Sequence, residues 1–292
     1  MTLSGPALWW RLIVIGGLWG CSFPLLRLVA AEMSPFALAA LRGGFAALGV
    51  FAFLLVTRQL AGKLQIRHWL VLGATNGWIP NLLTAVAMSR IESAPAALIH
   101  ASTPLLIAIL SVPLLRDERP GARGVAGLLV GFAGIALILG PAAVSGQASF
   151  LGGLLILLSG VSYALGTIYA RRVRPGAPAQ LALGQQLVSG GVAALLSIPL
   201  APSGAFDLEP WMIGIAAILG IFASALPLTM FLGLLARARV NDAGLVGYLQ
   251  PPFAAAAGAA MLGEVPSALV ITGGAIVLAG VWLATSRPRP AG

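Results

Sequence analysis

The chain has 292 residues, 59% of them apolar and only 9% charged, and its mean hydropathy is +0.98. A water-soluble fold of that composition would lack the polar surface to cover itself, which excludes soluble classes and implies an integral membrane protein. A net charge of +9 would suggest nucleic acid as a partner in a soluble chain; here it is read by position, and no basic, aromatic-interleaved patch for nucleic acid is present.

A spanning helix needs about 20 mostly apolar residues. Divided at its charged or Pro/Gly-rich breaks, the chain gives ten such segments: 7–28, 34–56, 68–88, 94–115, 122–140, 149–170, 178–200, 211–235, 242–262 and 266–285. The connections are short and leave no room for a soluble domain. None of the runs alternates apolar and polar residues as a membrane β-barrel would. The first run carries only Arg11 at its start, so a cleaved signal peptide is not expected despite Val29-Ala30-Ala31. Cys21 is the single cysteine, which excludes an intrachain disulfide and a cysteine-based metal site.

With the N-terminus placed in the cytoplasm, 14 Lys and Arg fall inside: Arg11, Arg58, Lys63, Arg67, Arg116, Arg119, Arg123, Arg171, Arg172, Arg174, Arg237, Arg239, Arg287 and Arg289. Only Arg27 and Arg90 fall outside, and Arg42 stays within a span. This bias predicts both termini on the cytoplasmic side of an inner (plasma) membrane.

The sequence also repeats itself. After Pro104 come an apolar run, Glu118-Arg119-Pro120, Gly127 and Gly134; after Pro251 come Glu264-Val265-Pro266, Gly273 and Gly280. From each Glu-x-Pro proline the glycines fall at +7 and +14 in both copies. Trp19, Arg27 and Arg42 stand 144 residues before Tyr163, Arg171 and Gln186. Two halves follow, 1–141 and 142–292, each with five spans. Because five is odd, the second half enters the membrane in the opposite sense: the repeat is inverted.

In these features the chain resembles the EamA-type members of the drug/metabolite transporter superfamily: Trp19-Gly20 with Phe23, the Arg of Ala40-Leu41-Arg42, and twice the order proline, apolar run, Glu, Pro, spaced glycines. The resemblance covers nearly the whole chain. It implies an all-α fold of ten transmembrane helices and a carrier rather than an enzyme, of the aromatic and neutral amino-acid exporter kind. No cofactor or metal is implied.

Inverted halves packed around a mid-membrane cavity can open it to either side in turn. Prolines within spans free backbone groups to line such a cavity; Pro24, Pro80, Pro104, Pro227 and Pro251 are candidate hinges or gates, or else packing kinks. Trp9, Trp10, Trp69, Trp211 and Trp282 lie near span ends, where the interfacial belt explains them. Trp19, Trp78, Tyr163 and Tyr248 fall near mid-depth. With Asn76, Asn81, Gln185 and Gln250 they are expected to form the wall of one polar-aromatic cavity built from spans 1, 3, 4, 6, 8 and 9; the competing reading is interhelical hydrogen bonding. Arg42, about 12 Å from the outer end of span 2 at about 1.5 Å per residue, either meets a substrate carboxylate or binds helix-end carbonyls or headgroups, with Gln186 as its neutral counterpart. His100 is a candidate for proton coupling or for packing. All acidic residues map to loops or span ends, so no membrane carboxylate is available to a proton drive. Glu118 and Glu264 are expected to pair with nearby arginines or to cap the helices starting at Pro120 and Pro266.

The sequence therefore points to a multi-pass carrier in the lipid bilayer, monomer or homodimer, exporting small amphipathic metabolites, above all neutral or aromatic amino acids. The alternative is a proton-coupled exporter of drugs or organic cations, which suits the aromatics through cation–π attraction. A membrane-embedded enzyme would need clustered catalytic groups, and His100 has no partner within its span.

Overall fold

The computed structural model describes residues 6–59, 65–114, 122–144, 148–173, 178–235 and 246–285. Every regular element among them is helical. In chain order they are α1a (Pro6–Gly20) and α1b (Ser22–Ala30), α2 (Pro35–Val56), α3a (Ile66–Gly73) and α3b (Ile79–Met88), α4a (Ser93–His100) and α4b (Thr103–Leu114), and α5 (Ala122–Val144). Then follow α6 (Ala148–Val173), α7 (Pro178–Leu200), α8a (Pro210–Gly220) and α8b (Leu226–Leu235), α9 (Val246–Leu262) and α10 (Ala268–Thr285). The bounds lie close to the expected spans; residues 242–245, the start of the ninth, are outside the described residues.

Eight helical stretches are long and apolar enough to cross a bilayer, from Pro6–Ala30 through Pro210–Phe231. Helices α9 and α10, of 17 and 18 residues, are shorter. The outer surface carries Ile198, Leu129, Leu195 and Leu48 at 80%, 70%, 66% and 62% exposure. So much aliphatic surface is stable only against lipid, and the protein is a multi-pass membrane protein.

Proline explains where the rods are interrupted. It has no N–H to give to the carbonyl four residues back, and its ring crowds that carbonyl. Pro80 and Pro227 each follow a π-helical turn, Ala74–Trp78 and Ile221–Ala225, by two residues. In both turns the next backbone N–H reaches five residues back, Ile79 to Ala74 and Leu226 to Ile221. The two turns and the two prolines are alike separated by 147 residues. The breaks at Cys21 and at Ala101–Ser102 stand just before Pro24 and Pro104. Helix α9 carries Pro251 and Pro252 without a break.

Packing is symmetric under exchange of the halves. Helices α2 and α7 pack together, as do α5 and α10, and α4a and α9. Helix α3b packs on α6 and α8b on α1a; α4b packs on α6 and α9 on α1a; α3a packs on α7 and α8a on α2. Every one of these pairs has its twin. Helices α5 and α10 approach through the spaced glycines: a Cβ on Gly134 would meet the Gly273 carbonyl at 2.6 Å, and one on Gly280 the Gly127 carbonyl at 2.7 Å. Missing side chains let the α5 and α10 backbones touch, so the glycines serve the contact between the halves.

Candidate functional site

Pro80 leaves two carbonyls of its helix without their usual donors, and side chains of the second half take both. Ser162 of α6 donates to the Thr75 carbonyl at 2.7 Å, and Gln185 of α7 donates to that of Asn76 at 3.2 Å. Further along, Ser159 donates to the Pro80 carbonyl at 3.4 Å and its hydroxyl meets that of Thr84 at 3.1 Å. Asn81 is buried and donates to Ser189 at 3.3 Å. Ser159, Ser162, Tyr163 and Gly166 share one face of α6 at helical spacing. Gly166 lies directly against the Asn76 amide oxygen and the Thr75 hydroxyl.

The other π-turn is held through a side chain. Arg42 of α2 donates through Nε to the Ser224 hydroxyl at 2.9 Å, and Ser224 in turn donates to the Leu219 carbonyl at 3.0 Å. Gly220 lets α8a approach the Arg42 carbonyl and Phe45, as Gly73 lets α3a approach the Gln185 carbonyl and Val188. Packing thus pairs Arg42 with Gln185, one residue from the Gln186 that the sequence offset suggested. Gln186 lines an apolar groove of about 500 Å³ between α2 and α7, with Leu48, Phe51 and Leu187.

Around Arg42 the structure gathers groups from other rods. Arg42 is within electrostatic reach of both His100 and Tyr163. His100, the last residue of α4a before the break, meets Tyr163 edge-on with ring centroids 5.5 Å apart and Phe23 of α1b at 5.8 Å. Arg42, His100 and Tyr163 are half-buried and Phe23 is buried. Five rods from both halves meet here.

The expected single wall is therefore divided. Arg42, His100 and Tyr163 come together; Asn76, Asn81 and Gln185 form the hydrogen-bonded seam between α3, α6 and α7. Trp19 stacks at a tilt on Phe231, 5.4 Å away, within an apolar cluster of Leu12, Ile15 and Leu234. Trp78 packs on Ala39, Ala40 and Ala193. Gln250 is buried in α9, whose backbone Gly20 of α1a meets directly. The Tyr248 side chain lies outside the described residues. Sequence reasoning missed the contact of His68 Nδ1 with the Tyr169 hydroxyl at 2.8 Å and the role of Ser189; partners so far apart in sequence leave no local signal.

Glu264 does pair with an arginine, Arg27, at 2.7 Å. The helix it caps is α4a, through the Ser93 N–H at 2.9 Å, and not the one after Pro266. Glu118 lies outside the described residues. Among the described residues no group of His, Cys, Asp and Glu is arranged to hold a metal ion.

The profile of the EamA-like transporter family matches twice, over residues 8–140 and 150–286. The chain belongs to the EamA-like transporter family. An uncharacterized transporter of Synechocystis sp. is 28% identical over 93% of this chain and 88% of its own length. The uncharacterized transporter YvbV of Bacillus subtilis is 24% identical over 93% and 89%. A solved crystal structure superposes with a TM-score of 0.67 at 22% identity, covering 94% of this chain and 95% of the other, a likeness of fold. This EamA-like protein is accordingly a membrane transporter.

Proposed function

We propose that this EamA-like protein exports small amphipathic metabolites, foremost neutral or aromatic amino acids, across the inner (plasma) membrane by alternating access. In this reading α9 and α10 cross the bilayer with the other eight rods, since they pack along spanning partners and modest tilt or thinning absorbs their shortness. The halves 1–141 and 142–292 are inverted repeats with both termini cytoplasmic, in line with the 14-to-2 distribution of basic residues. One observation carries the mechanism: each π-turn is held by polar side chains of the opposite half, Gln185 and Ser162 on one, Arg42 on the other. A turn whose carbonyls or side chains are held by the other half changes when the halves move, which couples rocking to the interior.

The rings of Tyr163, His100 and Phe23 near Arg42 suit an amphipathic solute. An organic-cation exporter ranks second, because it would bring a cation against Arg42, with no carboxylate inside the described spans to receive it. The test is uptake by the purified protein in liposomes of labelled L-phenylalanine, L-leucine and tetraphenylphosphonium, with and without a pH gradient. Amino-acid flux independent of the gradient is the expected result. Flux of the cation alone, driven by the gradient, overturns the reading.

A further inference from the structure

We infer that Arg42, His100 and Tyr163 form an anion subsite that receives the carboxylate of a small amphipathic solute, with Phe23 as its apolar wall. The choice of solute rests on the transport reading above; the site itself rests on the geometry.

A guanidinium carries five N–H donors in a planar fork. Ser224 takes Nε, and the end-on pair of Nη groups is left to face a partner. The one ion pair among the described residues is Arg27 with Glu264, so no carboxylate of the described chain neutralises Arg42. The acidic residues of the described chain lie in loops or at helix ends: Glu32, Glu92, Asp207, Glu209 and Glu264. A charged group inside a membrane protein needs a counter-charge or water.

The polar groups within electrostatic reach of Arg42 are of one kind. The Tyr163 hydroxyl and the His100 imidazole, whose rings meet at 5.5 Å, can each donate a proton as the guanidinium does, and no carboxylate of the described residues pairs with Arg42. A carboxylate accepts the Nη fork through both oxygens and keeps lone pairs for a phenol or an imidazole N–H. Phe23 meets His100 edge-on with ring centroids 5.8 Å apart, so an apolar ring adjoins one of the donors. That combination fits the carboxylate end of an aromatic or aliphatic amino acid. A phosphate could use the same donors, so phosphate is one arm of the test.

The site also joins the halves: Arg42, His100 and Phe23 come from α2, α4a and α1b, whereas Tyr163 and Ser224 come from α6 and the turn of α8. An anion drawing on Arg42 therefore acts on the same side chain that anchors the π-turn through Ser224.

The experiment uses the full chain in nanodiscs and reads the unfolding temperature against L-phenylalanine, 3-phenylpropanoate, L-phenylalaninamide and inorganic phosphate. L-Phenylalanine and 3-phenylpropanoate should raise it and the amide should not. Arg42→Gln should weaken the apparent affinity for both carboxylates about tenfold or more, the loss of a charge-assisted hydrogen-bond pair, with partial rescue by Arg42→Lys. If Arg42→Gln does not fold, the carboxylate-over-amide preference of the unmodified chain and its weakening in Ser224→Ala decide. Equal stabilisation by the amide, stabilisation by phosphate alone, an unchanged affinity in Arg42→Gln, or no effect of either carboxylate overturns the subsite. Flux of the same compounds in liposomes separates the two ideas: binding without flux leaves the subsite and removes the transport reading, and equal flux of acid and amide does the reverse.

Discussion

Glu264 and Arg27 meet at 2.7 Å, oxygen to Nε, while the other Glu264 oxygen accepts the Ser93 N–H at 2.9 Å. One side chain from the α9–α10 connection thus ties the end of α1b to the start of α4a. Glu264 is 9% exposed and the Arg27 side chain 33%, so the pair is partly shielded from solvent. Glu264→Gln keeps the shape and removes the charge; it should cost about 2 kcal/mol, between an exposed pair and a fully buried one. The check is thermal unfolding of the purified protein, and an unchanged unfolding temperature would count against this tie.

The glycine contacts of α5 and α10 predict a sharp contrast between positions. Gly280→Leu drives a side chain into the Gly127 and Gly131 backbone and should destabilise by about 3 kcal/mol. Gly214→Ala, within α8a, has open space around it and should be neutral or stabilise by about 0.5 kcal/mol, because alanine favours the helix. Monodispersity and unfolding temperature of the two variants in detergent read the difference.

Restoring a backbone N–H at a π-turn should affect movement more than folding. In Pro80→Ala the new N–H competes with Ser162 and Gln185 for the Thr75 and Asn76 carbonyls, favouring a regular helix. The expected outcome is a chain as stable as the parent or slightly more so, with transport reduced several-fold; flux per folded protein is the measurement. A variant with full flux would show that the turn is only a packing kink.

How much of this was legible beforehand differs by feature. The membrane class and the helix positions follow from apolar runs and their breaks, because length and polarity are one-dimensional quantities. The pairing of α5 with α10 is half visible: glycines seven residues apart fall on one helix face, yet that spacing does not say whether another half or another copy covers it. Pro80 and Pro227 stand out in the sequence as candidate hinges, but a π-turn is a choice among hydrogen-bond registers that sequence does not display. The site was the least legible. Asn76, Trp78 and Arg42 were all polar or aromatic at similar depth, and depth along a helix says nothing of direction around it. Asn76 turned towards Gly166, Trp78 towards Ala193, and Arg42 towards Ser224.

Gly166 tests the α3–α6 seam on its own. A methyl group there meets the Asn76 amide and the Thr75 hydroxyl, so Gly166→Ala should cost about 1–3 kcal/mol and loosen the Ser162 bond. Hydrogen exchange at residues 74–78 should quicken in the variant; unchanged protection would contradict the packing.

The proposed orientation predicts that a reporter active only in the cytoplasm works when fused after Gly292 and fails when inserted at Ser203, in the connection before α8a. The opposite pattern would invert the topology.

Two halves that hold each other's π-turns should open the interior to one side and then the other. Counterflow in liposomes tests it most directly: vesicles are loaded with unlabelled L-phenylalanine and labelled L-phenylalanine is offered outside. An alternating carrier should accumulate label transiently above equilibrium, and Pro80→Ala should blunt that overshoot. Uptake that rises smoothly to equilibrium, the same with or without internal solute, would describe a channel and contradict the account.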